Sequence, residues 1–163
     1  MSAPGRPKRV SSPGEAGAQR QEGSPANVPP GSQPQGAGAF DPAEVFRVFA
    51  MHRVDSAGFD AAVLAPGEDL RCVFFWGDDC FNCNLFKQAA LLHRAPLLEL
   101  GLTWFEANVY RDRALGLRFG LHGVPTFFLF RGGRRLGRIT GWPGLPQFSQ
   151  AVGRLRAPPA GGA

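Results

Sequence analysis

The sequence lacks any apolar run near the roughly 18 consecutive residues of a membrane-spanning helix, so no membrane association is expected. Its first 39 residues contain no apolar segment of the kind a secretion signal carries, and a cytoplasmic location is expected. Cysteine is scarce: there are three in 163 residues, an odd number that argues against a structural disulfide framework. Charge of either sign is modest as well. The formal net charge is +5, of which residues 1–39 hold +2 (Arg6, Lys8, Arg9 and Arg20 against Glu15 and Glu22), leaving +3 for the remainder. That excess is too small for a nucleic-acid face, and no nucleic-acid partner is expected.

What is abundant is unevenly placed. The 22 glycines and 15 prolines crowd toward the ends, while 44% of the chain is hydrophobic. Residues 1–39 are mostly Gly, Pro, Ser, Ala and Gln, with too few apolar groups to offset the entropy of ordering, and are read as a disordered tail. Arg6-Pro7-Lys8-Arg9 within it is read as a solvated charge run. Residues 40–157 form the expected domain, and 158–163 an expected frayed C-terminus. No internal repeat is visible, and a monomer is expected.

Order begins at Asp41-Pro42-Ala43-Glu44, whose spacing predicts a capping box. Phe49 to Asp55 reads either as helix continuation or as an edge strand. Phe59 to Leu64 reads as a helix ended by Pro66-Gly67. Leu70 to Trp76, rich in Val, Phe and Cys with little alternation of polarity, predicts a central strand buried on both faces. Helical spacing after Cys80 runs to a boundary at Pro96. Leu102 to Val109 predicts a strand, and Arg111 to Phe119 a helix stopped at Gly120. Thr126 to Phe130 and Leu136 to Thr140 flank a Gly132-Gly133 hairpin signal, and Gln147 to Leu155 predicts a last helix. Together these give an α/β fold around a central mixed sheet.

The chemistry is concentrated at Cys80-Phe81-Asn82-Cys83. Thiols three residues apart at a helix start can close a disulfide, and the first lies among unpaired backbone N–H groups that favour a thiolate. In dithiol exchange Cys80 attacks a substrate disulfide and Cys83, one turn inside, resolves the mixed disulfide. Asp78 and Asp79 oppose ionisation of Cys80. From roughly 7 Å in water each contributes about 0.6 kcal/mol, against about 0.3–1 kcal/mol from the helix end. The effects nearly cancel, and no strongly acidified nucleophile is expected. Two other readings stand beside the redox one: half of a thiolate metal set, and two thiols buried for packing alone. Against a metal, no second Cys-x-x-Cys exists, and Cys72, His52, His93 and His122 show no paired ligand spacing.

Phe75-Trp76-Gly77-Asp78-Asp79-Cys80-Phe81-Asn82-Cys83, taken with Gly123-Val124-Pro125-Thr126-Phe127-Phe128-Leu129-Phe130-Arg131-Gly132-Gly133, resembles the thioredoxin family. The order and separation of both motifs match, and the resemblance runs from about Phe49 to Leu155. It implies a thioredoxin-like fold, a redox-active Cys80–Cys83 disulfide and no cofactor. It also implies a cis Pro125 facing the sulfurs, and a groove taking in Trp76, Phe81, Asn82, Val124 and Pro125, with Val124 offering backbone hydrogen bonds to an extended substrate. The partners implied are protein disulfides, with a reductase or a low-molecular-weight thiol as electron donor.

The departures bear on mechanism. Six residues before the first Cys the family commonly carries a buried Asp that relays a proton for the resolving thiol; Phe74 stands there. The family's partner lysine on the neighbouring strand aligns with Glu106. Glu106 is therefore a candidate proton relay beneath Cys83, the alternative being a strand-end Glu reaching solvent. Phe81-Asn82 lacks the stiffening proline of the family's usual dipeptide, and Asp79 replaces the Trp usual before the first Cys. Cys72 is read as a core thiol, His122 as a loop residue or a border of the groove, and Trp142 as a cap on the core or a flank of the groove. Arg131, Arg134, Arg135 and Arg138 are read as charges that keep a sheet edge from pairing. The function expected is reduction of protein disulfides by dithiol exchange. The alternative is a binding or assembly module, or a redox sensor, that uses the same groove without turnover.

Overall fold

The computed structural model describes residues 40–158. The segment 1–39 expected to be a disordered tail, and residues 159–163 of the expected frayed end, lie outside the described residues.

The first helix, α1 (Glu44–Val48), starts without the expected capping box. Asp41 Oδ1 accepts from the Ala43 N–H at 2.9 Å, but Glu44 reaches forward to Arg47, at 3.9 Å, rather than back. A turn made by Asp41 thus replaces the reciprocal pair. The ambiguous stretch that follows contains a two-residue edge strand, β1 (His52–Arg53). Helix α2 (Phe59–Val63) leads to β2 (Arg71–Trp76), whose first residue holds the helix end. Arg71 is 7% exposed, and its guanidinium donates to the carbonyls of Val63 (2.9 Å) and Ala65 (2.7 Å). It also forks onto Asp69 at 3.0 and 2.9 Å. Carbonyls at a helix C-terminus have no intrahelical partner, and a buried cation satisfies them.

The helical pattern expected to stop at Pro96 is two helices. Helix α3 (Phe81–Leu92) closes at His93, and α4 (Arg94–Glu99) starts at once with Pro96 in its first turn. N–H groups of a first turn have no acceptor within the helix, so proline forfeits nothing there and marks a start instead of a boundary. Strand β3 (Thr103–Asn108) and helix α5 (Arg113–Arg118) follow. Asp112 caps α5 by accepting from the Leu115 N–H and also holds the backbone N–H of Ser56 at 2.6 Å. Strands β4 (Thr126–Arg131) and β5 (Arg134–Thr140) form the expected hairpin, and α6 (Leu145–Arg156) ends the domain. Gly132 and Gly133 have φ of 55° and 77°, as a two-residue hairpin turn requires at both central positions.

The sheet order is β1-β3-β2-β4-β5, with β1, β3 and β2 parallel and β4 and β5 antiparallel to their neighbours. Strand β2 is central and covered on both sides, as its uninterrupted apolar run predicts. One face buries Cys72, Phe74, Trp104, Phe127 and Leu129 against Val45, Phe86, Leu97 and Phe148 of α1, α3, α4 and α6. The other buries Val73, Phe75, Phe105, Phe128 and Phe130 against Phe59, Val63 and Leu115 of α2 and α5. Phenylalanine supplies much of both layers: Phe74 stacks on Phe127 (5.4 Å) and meets the edge of Phe86 (4.7 Å). Among the described residues no helix is long and apolar enough to cross a membrane. Strand β5 is an edge, and Arg134, Arg135 and Arg138 are exposed on it.

Candidate active site

The two thiols meet where β2 gives way to α3. Cys80 is the N-cap of α3, in extended conformation, and its Sγ accepts from the Cys83 N–H at 3.1 Å. The sulfurs are joined as a disulfide, with Cα atoms 5.2 Å apart. Cys80 is half-buried at the surface and Cys83 is fully buried. This difference suits an attacking thiol and a resolving one. The helix end directs an unpaired N–H at Cys80 Sγ, the arrangement that stabilises a thiolate.

The turn before β4 completes the site. The Val124–Pro125 peptide is cis, and the Val124 carbonyl oxygen lies 3.7 Å from Cys80 Sγ. Asn82, Leu85, Val124, Pro125, Thr140 and Trp142 line a groove of about 360 Å³ beside the disulfide. Trp142 does both things expected of it, packing on Phe86 (5.0 Å) while forming the groove wall. Phe81 stands 74% exposed next to Cys80. His122 is exposed and belongs to a separate depression with Tyr110, Leu117 and Val124.

The acids preceding Cys80 are not equivalent. Asp78 is bound by Arg111 (Nε at 2.8 Å, Nη2 at 3.1 Å) and accepts from Asn108 Nδ2 at 3.0 Å. Those partners, Arg111 foremost, hold its carboxyl below the usual carboxylate range. Its charge is compensated by Arg111, whereas none of the ion pairs among the described residues includes Asp79. Asp79 is exposed with φ of 51°, a left-handed conformation that Asp tolerates better than most residues. The backbone at Gly77 is covered by the Tyr110 ring so closely that a Cβ there would lie 2.5 Å from Cγ of the ring.

On the face of the sheet that holds Cys83, Phe74 is fully buried. A row across the sheet runs Arg53, Glu106, Phe74, Phe127, Ile139. Glu106 is 2% exposed, on the same face as Cys83, and so does not reach solvent from a strand end. Its Oε1 accepts from Arg53 Nε at 2.7 Å and its Oε2 from the Trp76 indole N–H at 2.6 Å. Trp76 is thereby held by its edge, and its ring carries the Lys87 ammonium 3.9 Å from the centroid. Lys87 is a residue that sequence reading missed. The signal was present: it lies four residues after Cys83 and between Phe86 and Ala90, on the buried stripe of α3. Cys72 is buried in β2, and burial pushes its thiol well above its ordinary value, which disfavours the thiolate. A larger cavity of about 590 Å³ lies beyond Trp76, but its Arg53 and Arg111 are paired with Glu106 and Asp78.

A mixed sheet with helices on both faces, a cysteine pair at a helix start and a facing cis-proline turn define a thioredoxin-like fold. No protein-family model matches the chain, and no curated protein matches its sequence. Among solved structures, the thioredoxin Mala s 13 of Malassezia sympodialis, described as a member of a pan-allergen family, matches with a TM-score of 0.53 at 16% identity. The match covers 66% of this chain and 91% of that one. At that identity the likeness establishes the fold, and the chemistry rests on the residues themselves.

Proposed function

We propose that this protein is a cytoplasmic thiol-disulfide oxidoreductase that reduces protein disulfides as a monomer. The observation that carries this reading is the pairing of a half-buried Cys80 at a helix N-cap with a fully buried Cys83, facing the cis Val124–Pro125 turn. The Cys80 thiolate attacks one sulfur of the substrate disulfide, and the first substrate thiol leaves. Cys83 then attacks Cys80 Sγ, closing the protein disulfide and releasing the second thiol. A reductase or a low-molecular-weight thiol returns two electrons to the pair. Phe81, Asn82, Val124 and Pro125 form the contact surface, with Trp76 behind them, and no cofactor takes part.

The proton of Cys83 is proposed to leave through the buried charges beneath it, with Glu106 as the acid of that path. Its burial on the Cys83 face, in register with Phe74, supports this role. Glu106→Gln tests it through the pH profile of the resolving step. A displaced profile is expected, and an unchanged one removes Glu106 from the path.

The test of the function is reduction of insulin disulfides with dithiothreitol as donor. Wild-type protein is expected to accelerate precipitation of the insulin chains, and Cys80→Ser to abolish the acceleration. No Cys80-dependent turnover would instead favour a binding module that uses the groove with an idle or redox-sensing dithiol.

A further inference from the structure

Lys87 is 4% exposed, and none of the ion pairs among the described residues includes it. Its ammonium is held by aromatic faces, 3.9 Å from the Trp76 ring centroid and 5.0 Å from that of Phe46. The Glu106 and Asp78 carboxylates favour its charge without pairing with it directly, while desolvation opposes them. A further anion formed nearby would be stabilised by that charge. Lys87 follows Cys83 by four residues on the same buried stripe of α3, a spacing that brings Cβ atoms to about 6 Å of each other. Cys83 carries no charge as a disulfide but must become a thiolate to resolve a mixed disulfide.

We propose that Lys87 supplies, from inside the fold, the positive charge that stabilises the Cys83 thiolate in the resolving step. This rests on the dithiol reading above. A carboxylate placed beneath a thiol takes its proton but does not favour the thiolate, whereas an ammonium takes no proton and favours the anion that remains. In the step, Cys83 releases its proton along the path proposed above, and its thiolate forms a bond to Cys80 Sγ. The Cys80–substrate S–S bond breaks, and the departing substrate thiolate takes up one proton. The substrate disulfide is the oxidant, so two electrons pass from the protein dithiol to it.

The charges facing Lys87 are few. Glu106 approaches from β3 and Asp78 from the loop before α3, and both favour its protonated form, while desolvation opposes them and prevails. From β2 and α1 it meets only the rings of Trp76 and Phe46, since Glu44 and Arg47 of α1 are paired with each other at the surface. Arg53 is engaged by Glu106.

The test is titration of the Cys83 thiolate by ultraviolet absorbance in Cys80→Ser protein, which requires no catalysis and so stands apart from the function itself. Lys87→Met is expected to raise the Cys83 pKa by about 1–2 units, and Lys87→Arg to restore most of it. In protein loaded at Cys80 with a chromogenic aromatic thiol, its release by Cys83 should slow roughly three- to tenfold below the pKa. The loss is smaller than the fall in thiolate because a more basic thiolate is a better nucleophile. A Cys83 titration unchanged in folded Lys87→Met protein overturns the proposal. Should that variant not fold, Lys87→Gln is read in the same way.

Discussion

Single side chains decide how this site differs from the family it resembles. Phe74 in place of an acid removes a titratable group and adds an aromatic cluster. Phe74→Ala is therefore expected to cost about 3–5 kcal/mol of stability by chemical denaturation, the range for deleting a fully buried ring. That Cys80, Cys83, Val124 and Pro125 come together was legible because their residue types recur at the spacing of both motifs. The place of Lys87 on the buried stripe of α3 was legible, but a lysine on a helix is ordinarily solvated, and the packing of Trp76 and Phe46 is what shows that this one is enclosed. Glu106 was legible as a candidate from its place in an apolar strand. Its partners were not, since Arg53 lies 53 residues away on an edge strand too short to read from periodicity.

At the scale of elements, strand and helix periods predicted nearly every segment, and the misreadings fell at ends. A capping box at Asp41 and a helix boundary at Pro96 both failed because local signals have more than one structural solution. Pro96 is equally at home in a first turn. The connections carry their own constraints. Gly133 has φ of 77°, and a Cβ on it would lie 3.0 Å from the Leu64 carbonyl oxygen. Gly133→Ala should destabilise by about 1–2 kcal/mol in a denaturant titration, through left-handed backbone and crowding together. Arg71 is expected to matter more. Arg71→Met leaves the carbonyls at the end of α2 and the Asp69 carboxylate without their donor, and should cost about 2–4 kcal/mol.

For the molecule as a whole, the depressed carboxyls set the response to acid. Arg71 foremost lowers the Asp69 carboxyl, Arg111 the Asp78 carboxyl and the Ser56 hydroxyl the Asp112 carboxyl. Each binds a proton less readily when folded than when unfolded. Their stabilisation is therefore present above the unfolded carboxylate pKa of about 3.9 and is lost as pH falls through the lower folded values. Thermal unfolding followed across acid pH should show a falling midpoint below about pH 4, with a shallower fall in Asp78→Asn protein. The surface location of these groups keeps each effect small, and salt should reduce it further.

The function proposed for this protein requires a working attacking thiol at Cys80 and a resolving one at Cys83. Its most direct measurement is intact-mass analysis of Cys83→Ser protein after incubation with a disulfide-bonded peptide. A covalent adduct of one peptide thiol at Cys80 is expected, reversed by dithiothreitol and absent in the Cys80→Ser, Cys83→Ser double variant. No adduct, or an adduct carried by Cys72, would contradict it.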